Sequence, residues 1–312
     1  MRIIISIFII SLFSASAISQ KKADLSFQLE MNRVYRVKST SIQNTTQSVM
    51  GNEQSVQTNN ISVISLKPLK LMDGEMIAEI RFDTIITETS QPQMEINSSR
   101  PGDLNSGDPG KVIECILNRM SNSTFLAKMT NTGRVVQFMN LEPVVNGIRQ
   151  GIDSIQGPTA SFIIDRVNSM LEEKALKAMV ESVTVYLPGK EVRAGDKWEI
   201  SLAISAGGMN FNQKGNYTLE SLEKKSAVIS AEVITESLPG TMEISGVQIT
   251  PDIRGLGKTE LTIDPATGWI ISGTVKQQLK GEMAVNAQGN ALTIPVEIST
   301  DIELVALDGP EE

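Results

Sequence analysis

The sequence contains no histidine and a single cysteine, Cys115. Without imidazole there is no Ser-His-Asp or Cys-His nucleophile, no His-ligated zinc and no side chain that titrates near neutrality unperturbed. One cysteine forbids an internal disulfide. Positive charge is also in deficit: 28 Lys and Arg stand against 36 Asp and Glu, a formal net charge of -8. With no basic stripe to offset it, this balance repels phosphate backbones and anionic headgroups, and no nucleic-acid partner is expected. Aromatic residues are few, eight Phe, three Tyr and two Trp, against 14 Met. A core short of rigid rings and rich in thioethers suits either irregular packing or an accommodating apolar pocket.

Only the N-terminus carries a long apolar run. Met1 and Arg2 precede residues 3–10, apolar but for Ser6, with Leu12 and Phe13, and then come Ala15, Ser16 and Ala17. A charged start, an apolar middle and small residues are the pattern of a secretory signal peptide, residues 1–19, cleaved after Ala17 or Ser19. The run falls short of the roughly 20 residues that span a bilayer. Cys115 is far from the cleavage point, so no lipid anchor is expected. The expectation is a soluble exported protein, periplasmic or secreted, with no membrane span.

The remainder is dominated by period-two patterns. Leu25, Phe27 and Leu29 alternate with polar residues, as do Met76, Ala78, Ile80 and Phe82 after an Asp73-Gly74 turn, and Trp198, Ile200, Leu202 and Ile204 before Gly207-Gly208. These read as half-buried antiparallel strands. Five landmarks recur in one order: Tyr35 and Trp198 as strand openers, Met50-Gly51 and Gly208-Met209 turns, "NISV" from Asn60 and "NYTL" from Asn216, "AEI" from Ala78 and "AEV" from Ala231, and Thr-Gly turns at Thr132-Gly133 and Thr267-Gly268. The shared order points to duplication, although turn residues come from a short list and any β-meander repeats them.

Between the halves the period becomes helical. Leu141, Val144, Val145, Ile148, Ile152 and Ile155 form one apolar face before Gln156-Gly157-Pro158, and a second runs from Ile163 to Met179. A short helix is expected over 109–120, capped by Asp108 with Pro109 first. The polar loop before it, 91–108, is expected to be mobile. The fold class is therefore β-dominated α+β: two antiparallel curved sheets, a duplicated β-meander, with a central amphipathic αα-hairpin. The first repeat covers 20–138, the helical hairpin 139–185 and the second repeat 186–312. Whether the repeats share one sheet stays open.

No catalytic site emerges. "DLNSGDPGKVIE" sets Asp103, Asn105 and Glu114 at calcium-loop positions, but Asp108 replaces the sharp-turn glycine and helix capping accounts for the same residues. "GLGKTELTID" ends like a phosphate loop yet leads into a strand, leaving no helix N-terminus to hold an anion. "SLEK" at 221–224 lacks the companion elements of the penicillin-binding enzymes. Cys115 sits among apolar neighbours with no base nearby. Neither enzyme activity nor a metal or cofactor is expected.

The series "VYRV", "QSVMG", "FDTI", "VTVYLPGKEVRAGDKWEI" and "IDPATGWI" resembles a family of exported Gram-negative bacterial proteins defined only as a domain of unknown function, with residues 188–198 as its sharpest part. The resemblance implies an envelope or secreted product and carries no activity. Some members are lipoproteins, from which this chain departs. A fainter architectural likeness is to the lipoprotein-carrier half-barrels, in which a curved sheet wraps apolar helices. The functional expectation is a binding protein that holds a lipid or other apolar molecule between sheet and helices. Its candidate contacts are Phe162, Ile163, Val167, Met170, Leu171 and Met179, which spread over much of the second helix. The alternative is a structural or protein-interaction component of the cell envelope. In that reading, polar strands such as "IQNTTQSVMGNEQSVQTNN" offer edges to a partner protein. The oligomeric state is left open.

Overall fold

The computed structural model describes residues 21–49, 51–157, 160–206, 209–244, 247–287 and 290–307. The expected signal peptide, Met50, Pro158 and Gly207-Gly208 lie outside them. The first half contains β1 (Lys22–Leu25), β2 (Tyr35–Val49), β3 (Asn52–Met72), β4 (Glu75–Ser90), β5 (Gln93–Asn97), α1 (Pro109–Ser121), β6 (Phe125–Met129) and β7 (Val135–Phe138). Next come α2 (Leu141–Arg149), a 3-10 turn (Ile152–Ser154), α3 (Ala160–Met170) and α4 (Glu173–Thr184). The second half contains β8 (Lys190–Arg193), β9 (Lys197–Ala206), β10 (Met209–Leu222), β11 (Ala227–Ser237), β12 (Met242–Ile244), β13 (Val247–Ile263), β14 (Ile270–Ala287) and β15 (Asn290–Leu307). Among the described residues, no helix is long and apolar enough to cross a membrane.

The β-dominated α+β class holds, with two antiparallel sheets. Their division is not one sheet per half. Both meanders run on into a single 13-stranded sheet, and the second sheet is the short pair β1 and β8. Along the large sheet the order is β7-β6-β4-β3-β2, then β15, then β14-β13-β11-β10-β9. The same five-strand order thus occurs twice, and β15 joins the copies by pairing with β14 on one side and β2 on the other. Each meander is led in by one strand of the β1–β8 pair.

Register identifies which landmarks are equivalent. Asn32 (φ 64) and Gly195 (φ 91) both adopt the left-handed conformation, three residues before Tyr35 and Trp198. Their N–H groups donate to Pro68 O and Leu219 O, each at 2.7 Å. Tyr35 lies opposite Leu66, and Trp198 opposite Tyr217. The Thr-Gly turns also correspond, with Gly133 at φ 84 and Gly268 at φ 72. "NISV" and "NYTL" do not: Asn60 pairs with Ser41, well into β2, whereas Asn216 pairs with Glu199, next to Trp198. "AEI" and "AEV" are two residues out, because Ile80, opposite Leu66, is the counterpart of Ala231, opposite Tyr217. A period of two tolerates such slips without changing which face is apolar.

The two Thr-Gly turns meet the segments that follow β1 and precede β8. Phe27 N donates to Asn131 O (2.7 Å) and Gln28 N to Thr267 O (3.0 Å). The Thr184 hydroxyl donates to Gly133 O and the Tyr186 hydroxyl to Gly268 O, both at 2.7 Å. Here the scarce aromatics gather: Trp269 lies 6.1 Å from Phe27 and 5.4 Å from Tyr35, and Phe27 lies 5.9 Å from Tyr186, centre to centre.

Three expectations need correction. The second helical pattern breaks after Leu171, where Glu172 turns extended (φ -64, ψ 143) and becomes the N-cap of α4. Glu172 and Glu173 thus place negative charge at the start of α4, where the helix dipole favours it. Residues 91–108 are not a bare mobile loop: β5 pairs with the end of β4, and Arg100 bridges Glu95 (2.6 Å) and Glu114 (3.0 Å). Most of the polar stretch 42–60 lies inside the sheet rather than on its edge: β15 and β3 flank β2 as far as Gln47, β4 pairs β3 from Thr58 onward, and Asn52–Gln57 are paired on one side only, by β2.

Candidate functional site

The sheet curls so that its two end strands, β7 and β9, face each other across α4. An exposed strand edge invites pairing with another chain, and here side chains occupy it. The Glu181 carboxylate accepts Val135 N–H at 2.9 Å, and the Lys177 ammonium donates to Val136 O at 2.9 Å. Across the gap Arg134 donates to Ser201 O on β9 at 2.7 Å. α4 is therefore the seam of a nearly closed wall.

The two troughs inside that wall are filled differently. In the first, α1 packs on β4 and β5, and α2 and α3 pack on α1. Val112, Ile116, Met120 and Phe125 are all buried to 0% exposure there. Among the described residues, α4 is the helix that packs extensively over the second trough, against β9. Beneath it lies a cavity of about 180 Å³, lined by α4, β9, β10, β11, β13, β14 and β15. Ala178 and Ser182 form its helical side, with Val185 just past the end of α4; Leu202, Val233 and Ile302 are its apolar walls, and Gly257 part of its floor. Beyond it a separate apolar cluster, Phe211, Ile253, Leu279 and Val296, lines the far end of the trough.

Glycine shapes this wall. A Cβ at Gly255 would fall 1.9 Å from Gln278 O, and one at Gly281 2.0 Å from Asp252 O, so β13 and β14 approach more closely than side chains permit. Strand-interior glycines mark such approaches. Of the strand-interior glycines in "GLGK", Gly257 lines the cavity.

The polar complement is small. Among the described residues, Ser182, Gln213, Gln277, Thr259, Glu181 and two tyrosines border the cavity, and no Lys or Arg does. The Gln277 amide donates to Thr235 Oγ1 at 2.7 Å. Burial holds the Tyr186 phenol well above its ordinary pKa, with a backbone hydrogen bond opposing, and burial pushes Tyr217 up to about 12. Both phenols are neutral at physiological pH and provide no base. Cys115 is half-buried on α1. Asp108 caps Gly110 N (2.9 Å), Asp103 accepts from Asn105 N (2.9 Å), and Glu114 is held by Arg100, so the calcium-loop residues all have structural partners.

The expected contact residues lie elsewhere. Ile163, Val167 and Leu171 belong to the packed core at 1–3% exposure, and Phe162 is 42% exposed. Met170 and Met179 pack partly buried against that core. None of the six lines the cavity, although Ala178 and Ser182, on either side of Met179 along α4, do. Tyr217, Gly257, Gln213 and Gln277 were not anticipated.

The chain belongs to DUF6263, a family of unknown function, whose sequence profile matches residues 73–270, from the β3–β4 turn to the start of β14. A search of curated proteins finds no match. Among solved structures, lipovitellin is similar at 10% identity and a TM-score of 0.43, covering 91% of this chain and 26% of lipovitellin. The chain thus spans about a quarter of that protein's length. An outer membrane channel from Pseudomonas putida F1 shows 7% identity and a TM-score of 0.21, covering 90% of this chain and 98% of the channel. A DUF1329 family protein from Desulfovibrio piger shows 8% identity and a TM-score of 0.16, covering 88% and 87%. None of these scores establishes a shared fold.

Proposed function

We propose that this member of the DUF6263 family is an exported binding protein that holds an apolar ligand under α4, in the second trough of its sheet. The observation that carries the reading is the unequal filling of two like troughs: one is packed by three helices, the other has a single helix over a cavity of about 180 Å³. A largely apolar pocket with a few convergent polar groups is what a small-molecule site requires. The absence of histidine supports binding over turnover. The charged, apolar and small-residue pattern of residues 1–19 supports export. Native mass spectrometry of protein purified from its own compartment, with organic extraction, tests the proposal. An extractable apolar adduct is expected, together with saturable binding of a neutral, environment-sensitive naphthylamine dye. A clean unliganded mass with no dye binding would refute it.

A further inference from the structure

Tyr217 borders the cavity at 8% exposure. Its ring stacks on Trp198, with centroids 6.0 Å apart and planes at 17°. It leans along β10 over Gly215, where a Cβ would fall 2.6 Å from Cε2. Rigidly held this way, its hydroxyl has no hydrogen-bond partner among the described residues, and its oxygen is not sealed in the core. Tyr186, the other phenol of the site, spends its proton on Gly268 O. A hydroxyl held rigidly beside the cavity with no protein partner is a donor that a ligand acceptor can take. The charge of the site narrows the class. Among the described residues no cation borders the cavity, and Glu181 contributes a carboxylate whose Oε1 already takes Val135 N–H. A carboxylate or phosphate head would enter unpaired, beside a like charge.

Building on the binding reading above, we propose that the ligand is an uncharged chain molecule, such as a long-chain alcohol, ester or ketone, whose single head oxygen accepts the Tyr217 proton while its chain lies over Gly257. Matched probes test this on the full chain: methyl decanoate, decanol, decanoate and decylamine at pH 8, with toluene as an apolar probe lacking a head. The neutral pair should bind at least tenfold tighter than either charged homologue. Tyr217→Phe, checked for unchanged circular dichroism, should weaken methyl decanoate about five- to tenfold and leave toluene unchanged. Equal or tighter binding of a charged homologue, or an unaffected Tyr217→Phe, overturns the head-group assignment while leaving apolar binding intact. If no probe binds, toluene included, the binding reading fails and this inference fails with it.

Discussion

Replacing Gly257 by valine asks whether the space over β13 exists. Gly257 is a buried strand residue whose added Cβ would lie 3.3 Å from Lys276 O and 3.7 Å from the Gln277 Cβ. It can be accommodated if the neighbouring strand yields by a few tenths of an ångström. Three carbons moved into an apolar void contribute about 2.4 kcal/mol at ~0.8 kcal/mol each. Relief of glycine's entropic penalty in a strand adds about 0.5–1 kcal/mol. Local adjustment offsets about 1 kcal/mol of this. The unliganded variant should therefore be about 2 kcal/mol more stable than the wild type, read as a higher urea midpoint at unchanged slope. Ligand affinity should fall at least tenfold, because valine occupies the ligand's place. A closed core gives the opposite sign, since overpacking costs about 1–3 kcal/mol. A lowered midpoint would refute the cavity, and a raised midpoint with undiminished affinity would refute its assignment as the site.

Three more outcomes follow from named contacts. Tyr217 should resist ionisation until about pH 12, and burial holds Tyr186 well above the ordinary value of 10.0, near which unfolded phenols ionise. Stability from these groups is complete below pH 10 and is lost as pH rises through the folded values, so urea midpoints should fall between pH 10 and 12, and Tyr217→Phe should reduce that slope. Arg100→Ala strips the ion partner from Glu114, whose side chain is 9% exposed. This should cost about 1–3 kcal/mol and speed proteolysis within 91–108, and equal cleavage rates in both proteins would contradict the tether. Gly133→Ala and Gly268→Ala should each cost at least ~2 kcal/mol. Both sit at left-handed φ, and their new Cβ atoms would fall 2.2 Å from Thr184 O and 2.6 Å from Ser26 O; wild-type melting in either variant would contradict that packing.

Local chemistry reached a good part of this protein directly from the sequence. Alternation in 76–82 and 198–204 identified strands, because side chains on a pleated backbone must alternate between wet and dry faces. Asp73-Gly74 identified its hairpin because both residues tolerate positive φ, observed at 54 and 81. Asp108-Pro109 identified α1, whose first turn needs a capping carboxylate and can spare an N–H. The repeat was legible too, but only through residues bound to a particular backbone conformation, Tyr35 and Trp198 after their left-handed turns and the two Thr-Gly turns. Landmarks free to slip by two residues misled. The break at Leu171 was not legible, since an apolar stripe continues across it and only packing decides where a helix stops. The site depended on tertiary structure for the same reason. Val167 and Leu171 are as apolar as any pocket lining, yet α1 covers the ground they face, while Gly257 lines a space because no second helix reaches it. Composition sets which side chains must be buried; the sheet's path, with β15 joining two like meanders and one helix left to close the seam, decides where burial is complete and where room remains.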